Sequence, residues 1–281
     1  MKNRTHRNII LLSLISAFLL IFNTIIKKQV IVYAESIIAA FMLVIVFLSI
    51  QMYGYQKDKN NAFKNRIVIK ISQILIIYLI SIYLFGLYFG YSKIVFSLKP
   101  SSILNNTIAP MTIFLCLEML RYIITNSNRD NKKYLIIFNI IFGIIELSVT
   151  TRYLSFIDFE TGYKTIANYI IPISLKQVAF GLLCYYGGLK SLFLYRILMI
   201  VYTYIIPIHP NFSETIICMC NIILPLILIE KVTTLVEEEK SEIKIYDHRK
   251  KTNIFAQVDD YIRNSKLGIS VFVEDIKIKE L

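Results

Sequence analysis

Eight long apolar stretches dominate this sequence and constrain its fold more than any other feature. They are residues 9–26, 30–52, 67–89, 108–125, 134–149, 166–186, 192–207 and 215–232. A helix that crosses a bilayer needs roughly 20 apolar residues, with roughly 17 in the shortest spans. A helix also satisfies its backbone polar groups internally, which lipid cannot do. The sequence therefore predicts an all-α, polytopic integral membrane bundle of about eight transmembrane helices.

Composition excludes the common soluble classes of protein. Hydrophobic side chains make up 56% of the 281 residues and charged side chains 18%, whereas charged residues form roughly a quarter of an average soluble domain. A disordered chain or a disulfide scaffold shows a different bias. The four cysteines lie inside apolar stretches without metal-ligand spacing, and phosphate-binding glycine motifs are missing from the sequence. We therefore expect neither a metal nor a cofactor.

The net charge of +12 raises the question of nucleic-acid binding. Residues 1–230 contain 21 Lys and Arg against 9 Asp and Glu, whereas residues 231–281 contain ten of each kind. The basic excess thus lies in the short loops between apolar stretches, as in membrane proteins with basic cytoplasmic loops. Most Tyr and Phe side chains lie inside the apolar stretches, so they cannot form a stacking surface in water. We expect membrane lipids, and not nucleic acid, as partners.

The distribution of Lys and Arg among the loops predicts the orientation in the membrane. The start of the chain and the second, fourth and sixth loops together contain 11 of these residues, whereas the other loops contain 6. Because basic loops remain in the cytoplasm, both termini of this multi-pass cell-membrane protein are predicted to be cytoplasmic.

The composition changes after the eighth apolar stretch. We place the boundary between a transmembrane helical domain, residues 1–232, and a polar cytoplasmic tail, residues 233–281. Residues 232–240 can continue the eighth helix into water, and residues 269–278 alternate weakly like a strand. Since this segment is too small to form a domain alone, we expect a flexible or partner-dependent tail.

Ionisable side chains inside the apolar stretches are candidates for a functional site, because their burial in lipid is costly. Glu118 and Arg121 are three residues apart, so a helix places them on one face, where they can pair. Two interpretations stay open at this point. The pair can join helices inside the bundle, or Arg121 can hold an anionic group while Glu118 acts as a general base.

Further candidates are Glu146, Lys176, Arg196 and His209. Glu146 and Arg196 can form a pair between helices. Arg196 lies near the start of the seventh stretch, so we expect its side chain to extend toward a membrane surface. Lys176 lies one turn after Pro172 and has no such explanation. His209 lies in a loop between Pro207 and Pro210, and we expect it at the membrane surface.

Several short strings, taken in order, resemble a known family. They are GYS at residues 90–92, FSL at 96–98, EMLRY at 118–122, LYRI at 194–197 and YIIPIHPN at 204–211. Together with the order of the helices, they are similar to the long N-terminal membrane region of some type I signal peptidase proteins of low-GC Gram-positive and related bacteria. The resemblance covers residues 53–251.

In that family the membrane region precedes one more hydrophobic helix and an extracytoplasmic serine protease domain, whose catalytic serine lies in a G-x-S-M-x-P-like segment. Neither feature follows Lys251 in this sequence, so no catalytic residue is carried over. The resemblance therefore implies a non-catalytic accessory or remnant, linked to signal peptide processing or protein export. Its expected partners are membrane-inserted precursor segments or another membrane protein, with Glu118, Arg121 and Arg196 as polar fasteners.

Two alternatives come from other functional classes. An intramembrane enzyme would use Glu118 with His209, although such enzymes usually have several glutamates and histidines on helices. A small-solute transporter would account for the prolines and charges within the apolar stretches, but the sequence has no detectable inverted repeat.

Overall fold

The part of the chain that the computed structural model describes is almost entirely helical. This model describes residues 34–54, 62–93, 107–129, 131–150 and 158–264, together with residues 8, 10–12 and 15. Most of the first predicted span, residues 9–26, lies outside the described residues. The same holds for the strand-like pattern at residues 269–278.

Four helices occupy the second to fifth predicted stretches. Helix α1 is Ala34–Tyr53, α2 is Ala62–Phe89, α3 is Ala109–Ser127 and α4 is Lys132–Thr150. Pro110 lies in the first turn of α3, where its missing N–H removes no helical hydrogen bond.

The second half of the described chain contains four further helices, which are α5 (Phe159–Thr165), α6 (Ile171–Leu182), α7 (Gly188–Ile200) and α8 (Glu214–Asn264). Wider π-helical turns at Ile166–Ile170, Leu183–Gly187 and Val201–Ile205 separate or extend them. The first of these turns directly precedes α6, in which Pro172 lies in the first turn. Wider turns accommodate a residue that cannot donate a backbone hydrogen bond.

The chain reverses direction at Gly188. This residue has a φ of +74° and a ψ of −166°, a region that only glycine adopts readily. The rings of Phe180 and Tyr195, on either side of the reversal, have centroids 4.9 Å apart. On one straight helix these residues would be about 22 Å apart. Helices α6 and α7 are therefore the two arms of an antiparallel hairpin.

Four described stretches are long and apolar enough to cross a membrane. They are Glu35–Tyr53, Phe63–Phe89, Gly162–Thr203 and Glu214–Ser241. Large apolar side chains are exposed on them, including Phe47 at 60% and Phe85 at 63%, and an apolar surface of this kind is typical of a membrane interface. The third stretch contains the hairpin of α6 and α7. Helices α3 and α4 are not among the four.

A two-stranded sheet departs from the all-α prediction. Strand β1, Tyr91–Lys93, pairs antiparallel with β2, Ile208–Pro210. Gly90, with a φ of +81°, lies between α2 and β1 and lets the chain turn there. No pattern in the sequence indicates this sheet, because strands of three residues are too short to show an alternation.

A core of buried apolar side chains lies among α1, α3 and α4. Met42 and Ile38 of α1 and Ile113 and Leu120 of α3 are among its fully buried members. Helix α4 packs on α6, while α7 packs on α2 and α3. This arrangement places one face each of α3, α4, α6 and α7 toward a common interior.

The chain divides into two compact units, Met1–Val232 and Thr233–Leu281. In the second unit the chain is helical as far as Asn264, well beyond the short continuation over residues 232–240 that the sequence favoured.

Candidate functional site: a buried ion-pair network

Five of the six predicted candidates come together in the interior of the first unit. We call Glu118, Arg121, Glu146, Lys176 and Arg196 the ion-pair network. Glu118 and Arg121 come from α3, Glu146 from α4, Lys176 from α6 and Arg196 from α7. The first three and the last of these residues are at most 5% exposed, so their side chains point toward the interior, and the side chain of Lys176 is 24% exposed.

Glu118 joins two arginines. Arg121 Nε donates to its Oε2 at 2.9 Å, as the spacing of three residues predicted, and Arg196 Nε donates to its Oε1 at 2.7 Å. Glu118 is completely buried and Arg121 is 1% exposed. Both carboxylate oxygens therefore accept charge-assisted hydrogen bonds, which are the strong kind.

Glu146 is the second centre of the network. Arg196 Nη1 and Nη2 donate to its Oε1 and Oε2 at 3.0 and 2.8 Å, and Lys176 Nζ lies 2.6 Å from Oε1. The pair between Glu146 and Arg196 was one that the sequence allowed. The expectation that Arg196 extends to a membrane surface is wrong, because this residue is 5% exposed and both carboxylates hold its guanidinium in the interior.

Two amide side chains complete the network, and neither was among the predicted candidates. Gln177 accepts a hydrogen bond from Arg121 Nη2 and donates another to Glu146 Oε2, which links the two carboxylate centres. Asn139 Oδ1 accepts from Arg121 Nη1 at 2.8 Å. The seven-residue spacing between Asn139 and Glu146 places both on one face of α4, and this spacing was the signal that could have found Asn139.

Aromatic rings surround the two guanidinium groups. Arg121 Cζ lies 4.5 Å from the ring centroid of Phe142 and 5.4 Å from that of Phe180. Arg196 Cζ lies 4.3 Å from the same Phe180 ring and 5.0 Å from Phe114. Each contact of this kind stabilises a cation by about 0.5–2 kcal/mol. Phe180 therefore interacts with both arginines of the network.

The network contains three cations and two carboxylates. Lys176 is its most exposed member, with 24% of its side chain accessible. It lines a cavity of about 290 Å³ together with Arg196 and Glu146. The charges of the described cluster do not cancel among themselves, and the surplus cation lies beside this cavity.

His209 lies apart from the network. It is the central residue of β2, where its Nε2 is 2.8 Å from Ile206 O and its ring contacts that of Tyr202 with centroids 5.1 Å apart. Cys218 Sγ donates to Ala167 O at 3.1 Å. In the part of the chain that the structure describes, no group of three or more His, Cys, Asp or Glu side chains could hold a metal ion.

The geometry limits the chemistry of the two carboxylates. A general base must be within reach of its substrate, whereas Glu118 and Glu146 are buried and each of their oxygens is paired with a cation. Outside the apolar stretches, the hydrogen bond from Lys164 Nζ to Glu160 holds the pKa of the Glu160 carboxyl below its usual value.

Comparison with known proteins gives no family for this chain. Protein-family models, curated proteins and solved structures were each searched, and none matches it.

Proposed function

We propose that this chain is a multi-pass helical membrane module of the signal-peptidase-like kind, which supports signal peptide processing or export without cutting peptide bonds itself. The observation that supports this proposal best is the ion pair between Arg196 and Glu118 at 2.7 Å. Glu118 belongs to the EMLRY string and Arg196 to the LYRI string, two of the strings that resemble that family. The two strings lie on different helices, and their charged side chains stabilise each other. A membrane fold in common with that family would therefore explain why both strings are present in this order.

The proposal includes eight membrane crossings. Contacts at the two ends of the bundle support this number, because they group the even-numbered loops with the start of the chain and the odd-numbered loops with one another. At one end Asn8 Nδ2 donates to Ser127 Oγ at 3.1 Å, and Arg129 Nη2 donates to Tyr185 O at 3.3 Å. These contacts join the start of the chain, the fourth loop and the end of the sixth apolar stretch, where the sixth loop begins. At the other end β1 of the third loop pairs with β2 of the seventh. Eight crossings require the same grouping.

The polar fasteners of this module act inside the bundle. Glu118, Arg121 and Arg196 are each at most 5% exposed and bind one another or neighbouring helices. They hold the scaffold together, so a precursor segment or a partner protein would meet the apolar outer faces of the helices. The complete burial of Glu118 and its pairing with two arginines disfavour the alternative of an intramembrane enzyme that uses this residue as a base.

The test uses a bacterial cell whose own signal peptidase can be depleted. Expression of this chain in the depleted cell should leave precursor processing blocked. In a cell with normal signal peptidase, photocrosslinking from the signal peptide should capture the chain. Restored cleavage without other enzymes would disprove the non-catalytic assignment, and failure of every signal peptide to crosslink would disprove the link to processing.

A small-solute transporter is the second candidate, and the cavity beside Lys176 favours it. Transporter sites lie near the middle of the bilayer at interrupted helices, and this cavity lies next to the π-helical turns at Ile166–Ile170 and Val201–Ile205. Saturable solute uptake into vesicles that contain the purified chain, lost in Lys176→Gln, would favour the transporter over the accessory module.

A further inference from the structure

We infer that the cavity of about 290 Å³ beside the ion-pair network binds a single oxyanion group, a carboxylate or a phosphodiester, carried by an amphiphile. This inference goes beyond the proposed function and requires only the helical bundle. It holds whether or not the chain takes part in signal peptide processing.

The charge of the network indicates an anionic ligand. Among the described residues its three cations face two carboxylates, and Arg196 already donates to both carboxylates. Lys176 has an ammonium group with three donors, and Glu146 accepts from it at 2.6 Å. Its side chain also lines the cavity. An oxyanion in the cavity would balance the surplus positive charge, which is costly in a medium of low dielectric constant.

A polar route leads from the cavity toward the end of the helices. A neighbouring cavity of about 360 Å³ shares the lining residues Asn168, Tyr169 and Asn221 with the first one. It extends to Lys164 and Glu214, which lie near the start of the hairpin and of α8 respectively. The amides and the hydroxyl along this route can replace water around an entering head group.

The shape of the backbone at the cavity supports a binding role. Asn168 lies in the π-helical turn Ile166–Ile170 and Thr203 in the turn Val201–Ile205, and both line the cavity. Such turns are frequent at functional sites, because they widen the helix locally. Apolar side chains, including Met199 and Leu224, form much of the remaining wall, and they fit the hydrocarbon part of an amphiphile.

The test measures octanoate binding to the full chain in nanodiscs of phosphatidylcholine, with a ¹³C-labelled carboxylate observed by NMR. We expect saturable binding that is weaker by about tenfold to a hundredfold in Lys176→Gln, since a hydrogen bond to a charged group is lost. Lys176→Arg should restore it. Lys231→Gln removes an exposed lysine paired with Glu230 and should leave binding unchanged.

Two further arms identify the source of the anion and protect the test against misfolding. If anionic phosphatidylglycerol in the nanodisc competes with octanoate, the natural ligand is a lipid head group; if it does not, the ligand is a free carboxylate. Methyl octanoate, which is neutral, should show no saturable binding to the unchanged protein. Equal binding of the ester, partitioning no different from that in empty nanodiscs, or unchanged affinity in a folded Lys176→Gln variant would overturn the inference. None of these arms measures precursor processing. Failure of this inference can therefore be distinguished from failure of the proposed function.

Discussion

Arg196 and Glu146 form a bidentate ion pair, with nitrogen to oxygen distances of 3.0 and 2.8 Å, although 50 residues separate them along the chain. Two parallel hydrogen bonds fix the planes of the guanidinium and the carboxylate relative to each other. The pair therefore holds α4 and α7 close together and also sets their orientation relative to each other.

Loss of this pair should destabilise the fold strongly. Arg196→Gln leaves Glu118 and Glu146 without their shared cation, and breaking a buried pair by removing one partner costs about 3–5 kcal/mol. The free energy of unfolding in detergent measures this loss. In the control Lys231→Gln, the exposed pair with Glu230 contributes only about 0–1 kcal/mol. Similar losses in the two variants would show that the network does not stabilise the bundle.

Loss of the Gln177 amide should lower the stability of the fold far more than loss of an ordinary uncharged side chain. Gln177→Met keeps the length of the side chain but removes the hydrogen bonds to Arg121 and Glu146. Each hydrogen bond to a charged group contributes about 1.5–3 kcal/mol, so we expect a clear drop in the midpoint of thermal unfolding. Ser174→Ala, one turn earlier on the exposed side of α6, is the control and should change stability by less than about 0.5 kcal/mol. A midpoint equal to that of Ser174→Ala would contradict the bridging role.

Gly188 should tolerate no side chain without strain. Its φ of +74° and ψ of −166° belong to a region that costs other residues about 1–3 kcal/mol. We therefore expect Gly188→Ala to lower the free energy of unfolding by that amount. Gly162→Ala, at a helical glycine in α5 whose φ is not positive, should be neutral or slightly stabilising. If both variants behave alike in the same unfolding assay, the reversal does not depend on glycine.

The Glu160 carboxyl should titrate at a lower pH than an ordinary glutamate. The hydrogen bond from Lys164 lowers its pKa in the folded protein, so the interaction stabilises the fold above the unfolded pKa. This contribution is lost as the pH falls through the folded pKa. A ¹³C NMR titration of the side chain measures the shift, and Lys164→Gln should return the pKa toward its usual value. An unchanged titration in that variant would show that another group causes the shift.

Single cysteines should reveal two sets of loops. In a background without the four native cysteines, Ser92→Cys and Asn211→Cys should react with an impermeant maleimide added to intact cells. Arg129→Cys and Lys190→Cys should react only after the membrane is opened, because basic loops stay in the cytoplasm. The reverse pattern would invert the orientation. Labelling of residues 92 and 211 from opposite sides would contradict eight crossings.

The sequence predicted the local parts of this site and not the distant ones. The pair of Glu118 and Arg121 follows from helical spacing, and the long apolar stretches locate the helices. The side toward which Arg196 points depends on how α7 rotates against α3 and α4, which its position in the seventh stretch does not determine. An arginine near a helix end looks the same in sequence whether it extends to the surface or binds a carboxylate inside.

The amides and the sheet escaped prediction for different reasons. Asn139 and Gln177 carry no charge, so the cost of burial drew no attention to them until their partners were known. Strands β1 and β2 are three residues each and pair across 117 residues, as between Ser92 and His209. A contact of that range has no signature in local composition.

The pairing of β1 with β2 has a topological consequence for the helices between them. Every residue of the ion-pair network, as well as Asn139 and Gln177, lies in the chain segment that begins after Lys93 and ends before Ile208. The backbone hydrogen bonds between the two strands therefore join the ends of this segment and close it into a ring. Closing a ring of this length removes conformational freedom from the chain. Any movement that separates the helices of the ion-pair network must therefore stay within the reach of this ring or break the strand pair.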